Sequence, residues 1–352
     1  MQICTEVNAM KRPMTLIVGN DDLKARLSND ILAGTLPHAC ILEGPRGTGK
    51  HTFARMCAAA LACSQKHDSS KPIPCLECPD CKKVLEGKSP DLIFIGLEDK
   101  ATIGVDTVRF LREDVRVVPN DLDYKIYVIE DADKMTVQAQ NALLLTLEEP
   151  PEYVRFFLLC ENSRLLLETI RSRAPVHRTE PLTKKQIDEY LCATDKRAAQ
   201  MKLSSRREYD ELLCAAGVGI GCALEYLDPK RFAPILERRR LALDFTRAAT
   251  HAEGSLSVLS IVLKFPQKRD ALRDQLSTVS DAIRDLILLK KSDSAPLCFF
   301  ADRNEAIELC DKASLPFLFR LGECVRQALD DNARNANVRL ALTRLASSAE
   351  II

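Results

Sequence analysis

At 352 residues the chain is long enough for two or three domains, and 46% hydrophobic with 28% charged residues is the mix of an ordinary globular protein, not of a disordered or fibrous one. Lys plus Arg and Asp plus Glu stand at 50 each, which excludes a molecule-wide basic field, so contact with nucleic acid is expected to be local or shared with partners. No apolar run is long enough to span a bilayer and "MQICTEVNAMKRPMTLIV" lacks a signal-type apolar stretch, so a cytoplasmic protein without membrane contact is expected, its 14 cysteines reduced.

In chain order, "HACILEG" (38–44) reads as a strand, "GPRGTGKHT" (44–52) as a glycine loop and "TFARMCAAALAC" as a helix. That context suits the phosphate-binding pattern G-x-x-x-x-G-K-[ST], with Gly44, Gly47 and Gly49 shaping the loop and Lys50 reaching the outer phosphates. A glycine turn with an incidental lysine is the plain alternative. One letter departs: the hydroxyl residue that should follow the lysine and hold magnesium is His51, and Thr52 comes one place late.

A polar stretch follows, then cysteines spaced C-x11-C-x2-C-x2-C at Cys63, Cys75, Cys78 and Cys81. Two C-x2-C steps sharing Cys78 bring three thiolates around one point and Cys63 can close a tetrahedron, which fits structural zinc. Lys82 and Lys83 would offset the charge, His67 could stand in as a ligand, and a redox role is the main rival. The remaining ten cysteines, scattered singly, read as small buried hydrophobes.

"DLIFIG" (91–96) and "KIYVIEDAD" (125–133) read as further strands, with "TVRFLREDV" an amphipathic helix between them. The second strand ends in Glu130 and Asp131, where a nucleotide site needs acids for magnesium and for the attacking water. Their order is the reverse of the usual Asp-Glu, and a displacement of about 1 Å can cost on the order of 10²-fold in rate. Two solvated acids capping a strand would look the same. "VQAQNALLLTLEE" is helical up to Pro150 and Pro151, and "VRFFLLCEN" (154–162) is another buried strand. Apolar strands alternating with helices predict an α/β domain with a parallel sheet covered on both faces. After about residue 180 the pattern turns helical, with breaks near Gly254, Pro266, 292–296 and Pro316. "ERRR" (237–240) reads as a solvated helix face, and direct DNA readout finds little support.

"MTVQAQNALLLTLEEPPE" (135–152), "ETIRSRA" (168–174) and "GVDTVRFLREDVRVVP" (104–119) resemble the AAA+ clamp-loader subunits of bacterial DNA polymerase III, over most of residues 15–225. "NARNANVRLALTRL" (332–345) is similar to the ending of the delta-prime type, more weakly. The resemblance implies a P-loop AAA+ domain with a zinc insert (1–179, insert 63–81), a small helical lid (180–228) and an all-α collar (229–352). It places the family's arginine finger, which reaches into a neighbouring subunit's nucleotide site, at Arg173, although Ala174 stands where the family usually has cysteine. The polar sensor falls within Cys160, Glu161 and Asn162, with Asn162 the chemically suitable one, and the second sensor, an arginine in motor subunits, falls on Gly221. With the hydrolytic parts altered and the finger intact, the resemblance is to a delta-prime stator. It implies zinc as a structural ion, ATP with magnesium bound weakly or not at all, and gamma/tau-type motor and delta-type subunits as partners in a hetero-oligomer. The sliding clamp and primed DNA would be met through that complex. A gamma/tau motor that itself hydrolyses ATP is the enzyme-class alternative. A small-molecule kinase with a zinc-stabilised lid shares the loop and the cysteines but leaves "LEEPPE" and the helical C-terminal region unexplained.

Overall fold

In a computed structural model the described residues are 14–68, 70–97, 100–251 and 255–350; most of the stretch weighed as a signal, and the break at Gly254, lie outside them. Chain contacts define two compact units. One runs through Gln186 and takes in Val218–Gly221; the other comprises Ile187–Gly217 and Cys222 onward.

The first unit is a five-stranded parallel sheet. In chain order its elements are α1 (Asp21–Ala33), β1 (Ala39–Glu43), α2 (Lys50–Ala62), α3 (Pro79–Leu85), β2 (Leu92–Ile95), α4 (Val105–Asp114), β3 (Lys125–Ile129), α5 (Val137–Glu148), β4 (Val154–Cys160), α6 (Glu168–Arg171) and β5 (Val176–Arg178). The strands lie in the order β2-β3-β4-β1-β5, with Ile41 opposite Leu158 and Tyr127 opposite Phe156. Side chains alternate across a pleated strand, so each apolar strand feeds two cores. Leu42, Val128 and Phe157 pack with Leu27 of α1 and Phe53 of α2. On the other face Ile41, Ile129 and Leu158 pack with Leu111 of α4 and Leu143 of α5. This is the parallel α/β sheet with helices on both faces expected from the sequence, and it carries the ends of β1, β3 and β4 to one edge, where open α/β sheets bind ligands.

Three-residue β5 escapes the sequence reading because "VHR" is too short for a period and two of its residues are polar. Its pairing with β1 brings Arg178 opposite Glu43.

The second unit is helical: α7 (Lys184–Thr194, its first turn in the other unit), α8 (Lys196–Ser204), α9 (Arg206–Ala216), α10 (Ile220–Tyr226), α11 (Pro229–Thr250), α12 (Ser255–Val262), α13 (Arg269–Lys291), α14 (Arg303–Lys312), α15 (Leu315–Ala333) and α16 (Val338–Glu350). α13 is its axis, with Leu276, Ile283 and Leu286 packed against Phe245 of α11 and Leu318 and Leu321 of α15. Buried Asp285 on the same helix accepts from the backbone N–H groups of Cys298, Phe299 and Phe300, which fixes the loop before α14. The solvated-face reading of "ERRR" fails at Arg239, which is 8% exposed. Its guanidinium lies 4.7 Å over the Phe299 ring and pairs with Glu211 at 3.0 Å, and a planar cation is suited to both contacts at once. Among the described residues no helix is long and apolar enough to cross a membrane.

Candidate nucleotide site and cysteine cluster

β1 ends at Glu43, the loop turns through Gly47 and Gly49 at φ 79° and 88°, and α2 starts at Lys50. A side chain at Gly44 would meet the Thr179 Oγ1 at 1.9 Å, and the Thr48 and Thr179 hydroxyls bond at 2.9 Å, so the residue after β5 clamps the loop. Lys50 is 8% exposed and donates to the Gly44 carbonyl and, at 2.9 Å, to that of Pro45. Burial pushes its pKa down, against the pull of Glu161, Cys160, Asp133 and Asp131. Thr52 sits on the first turn of α2.

The structure joins the two departures from the motif. His51 Nδ1 lies 3.0 Å from Glu130 Oε1, across the position where the pattern calls for a hydroxyl and a metal. Phe94 stacks on the imidazole at 6.5 Å with rings 8° apart, and Arg55 lies 4.9 Å over the Phe94 ring. Asp131, at φ 48°, turns to Lys134, 3.3 Å away. The phosphate-loop pattern implies magnesium here, and these residues do not fit it: the would-be hydroxyl donor is an imidazole, and the strand-end carboxylate is hydrogen-bonded to that imidazole.

Asn162 keeps its side chain at home, accepting from the N–H of Arg164 at 3.0 Å. Sequence reasoning missed Asp133, whose Oδ2 accepts from the N–H groups of Glu161 and Asn162 and ties the end of β3 to the end of β4. It also missed Glu43, which accepts from Ser163 N–H at 3.1 Å and Arg178 Nε at 2.9 Å. Burial opposes ionisation of Glu43, but Arg178 and Ser163 hold its pKa below the usual carboxylate range. Nothing in one dimension pairs residue 43 with residue 178 except the unseen strand.

Gly221, where the resemblance leads one to expect the second sensor, donates its N–H to the Gly47 carbonyl at 3.0 Å. At Gly219 a Cβ would come within 2.5 Å of the Arg46 carbonyl, so backbone lies directly on backbone there. Arg173 pairs with Glu148 at the end of α5, 2.8 Å away, and donates to the Thr169 carbonyl.

The sulfurs of Cys63, Cys75, Cys78 and Cys81 all lie within 4.8 Å of one another and are buried; His67 is not among them. The cluster forms because Cys63 ends α2 while Cys78 caps α3, its sulfur accepting from Cys81 N–H at 3.4 Å. Burial works to raise the Cys78 thiol, yet the Cys81 N–H and its neighbours bring it down to about 6. Four converging thiols form a set that can hold a metal ion, and soft sulfur donors suit zinc.

Residues 19–183 match the family described as "DNA polymerase III, delta subunit". Among curated proteins the chain is 36% identical over 157 residues to DNA polymerase III subunit tau of Bacillus subtilis, covering 45% of this chain and 27% of that protein. It is 35% identical over 182 residues to subunit tau/gamma of Haemophilus influenzae, 51% of this chain and 26% of that one. The chain thus spans about a quarter of the length of these relatives. A DNA polymerase III gamma subunit-related protein from Thermotoga maritima, solved by crystallography, aligns over 93% of this chain and 98% of its own with a TM-score of 0.48 and 18% identity. The N-terminal half is accordingly similar to subunits of DNA polymerase III.

Proposed function

We propose that the chain is a DNA polymerase III clamp-loader subunit of delta-prime type, a stator that turns over little ATP itself and lends Arg173 to the nucleotide site of a neighbouring motor subunit. The observation that carries this reading is the His51–Glu130 pair, which engages the residues a hydrolytic site would use for magnesium. Gly221 in place of a sensor arginine supports it. Arg173 is partly exposed, and an ion pair such as its bond to Glu148 is worth about 0–1 kcal/mol, so the finger leaves it at little cost. Zinc on Cys63, Cys75, Cys78 and Cys81 would brace the insert without touching the chemistry. The partners in this reading are gamma/tau-type and delta-type subunits, and through them the clamp and primed DNA.

A second reading, a gamma/tau-type motor, is favoured by the names of the curated relatives, which are tau and tau/gamma subunits. One experiment separates the two. In the complete assembly, Arg173→Ala should cut ATPase and clamp loading by as much as 10³-fold, as an arginine finger does, while Lys50→Ala does far less. Arg173→Lys should fail to rescue, because an ammonium lacks the planar fork. A crippling Lys50→Ala beside a silent Arg173→Ala would establish the motor instead.

A further inference from the structure

A phosphate loop has two halves. The turn and the first N–H groups of the following helix hold the α- and β-phosphates; the residue after the lysine and the neighbouring strand's acid hold magnesium and, through it, the γ-phosphate. In this chain the first half keeps its form: Gly47 and Gly49 retain the left-handed turn, α2 begins at Lys50, and Thr179 locks the loop from behind. The second half is closed upon itself. His51 Nδ1 faces the Glu130 carboxylate at 3.0 Å, and Phe94 stacks on the imidazole at 6.5 Å. Gly96 at the end of β2 leaves the space that the carboxylate fills, since a Cβ there would come within 3.0 Å of Glu130 Oε2. Asp131, Asp133 and Glu161 add negative charge around Lys50. Without a divalent ion between them, a γ-phosphate would face this acidic rim directly, and like charges at short range repel.

We infer that the loop binds a nucleoside diphosphate without a metal ion and discriminates against the magnesium triphosphate. Lys50 supplies the cation by leaving the Gly44 and Pro45 carbonyls for the β-phosphate, and the His51–Glu130 pair stands where the metal would be. This deepens the stator reading: the nucleotide becomes a resident structural ligand, not a fuel.

The test is calorimetric titration of the full chain with ADP and with ATP, each in excess magnesium chloride and in excess EDTA. ADP should bind with dissociation constants that agree within about two-fold in the two conditions, and ATP should bind more weakly than ADP in both. In His51→Thr, which restores a hydroxyl and frees Glu130, magnesium should strengthen ATP binding by about ten-fold or more. Magnesium strengthening ATP binding to the native chain to that degree, ATP binding the tighter of the two in EDTA, or no ADP binding in either condition would each overturn the inference. The stator role itself is decided separately, by Arg173 in the assembled complex.

Discussion

The imidazole of His177, on β5, is 7% exposed, and its Nε2 has no hydrogen-bond partner among the described residues. Burial pushes its pKa below the free value of 6.5, with the charge of Arg26 adding to the effect and Asp30 opposing it. The unfolded chain therefore binds a proton near pH 6.5 that the folded chain refuses, and stability falls as pH drops below that point. Above it the residue contributes no slope. His177→Gln should lose a smaller part of its urea midpoint than the native chain between about pH 7 and about pH 5.5. An equally steep fall in the variant would show that the proton is taken up elsewhere. At this scale the sequence was informative about identity and silent about pairing. Lys50, His51, Glu130, Asp131 and Arg173 could all be picked out by position. Nothing in their order said that His51 and Glu130 bond each other, that Asp131 turns to Lys134 or that Arg173 rests on Glu148, because each depends on where separate strands and helices end.

Elements are held in register here by buried carboxylates as well as by apolar packing. Asp91 accepts from the N–H groups of Asn120, Asp121 and Leu122 just as Asp285 does from Cys298, Phe299 and Phe300. Removing such a group strands several buried donors, so Asp285→Ala should lower unfolding stability by about 2–4 kcal/mol, read from denaturant midpoints. A loss within about 0.5 kcal/mol, ordinary for a surface site, would mean that water or a loop shift satisfies those donors. The cysteine insert is the other such brace. Zinc is expected at about one per chain, and Cys78→Ser should release it and lower stability, because Cys78 both supplies a sulfur and caps α3. Metal analysis of carefully reduced protein that finds no zinc would refute this. Strands buried on both faces were legible as apolar runs, and so was the spacing of the thiols. β5 and the Val218–Gly221 contact with the loop were not: one is too short to show a period, and the other rests on missing side chains, which leave no hydrophobic signal.

At the scale of the whole molecule, the helical unit carries the features of an assembly surface. Its own core is complete, with Phe245, Leu276, Leu286, Leu318 and Leu321 at zero exposure. Large apolar side chains are nevertheless left outside it: Leu256 and Leu263 near α12, Phe319 on α15 and Leu340 on α16, each at least half exposed. α16 packs against both α12 and α15, so these residues sit on neighbouring helices. Single exposed leucines are common on monomers, but four on adjoining helices suit an interface whose apolar centre is filled only in a complex. A cut near residue 228 would test this badly, because it severs the Arg239–Glu211 pair and the bond from Cys214 to the Phe299–Phe300 turn inside the same unit. Substitution is cleaner. Phe319→Glu with Leu340→Glu changes side chains that the core does not use, so the double variant should keep the native unfolding midpoint within about 0.5 kcal/mol. Neither the cysteine cluster nor the phosphate loop should be affected by it. Mixed with gamma/tau-type and delta-type subunits, it should fail to co-elute, since a carboxylate buried unpaired in an interface costs several kcal/mol. Co-elution at native yield would place the assembly surface elsewhere and remove the collar role from these helices.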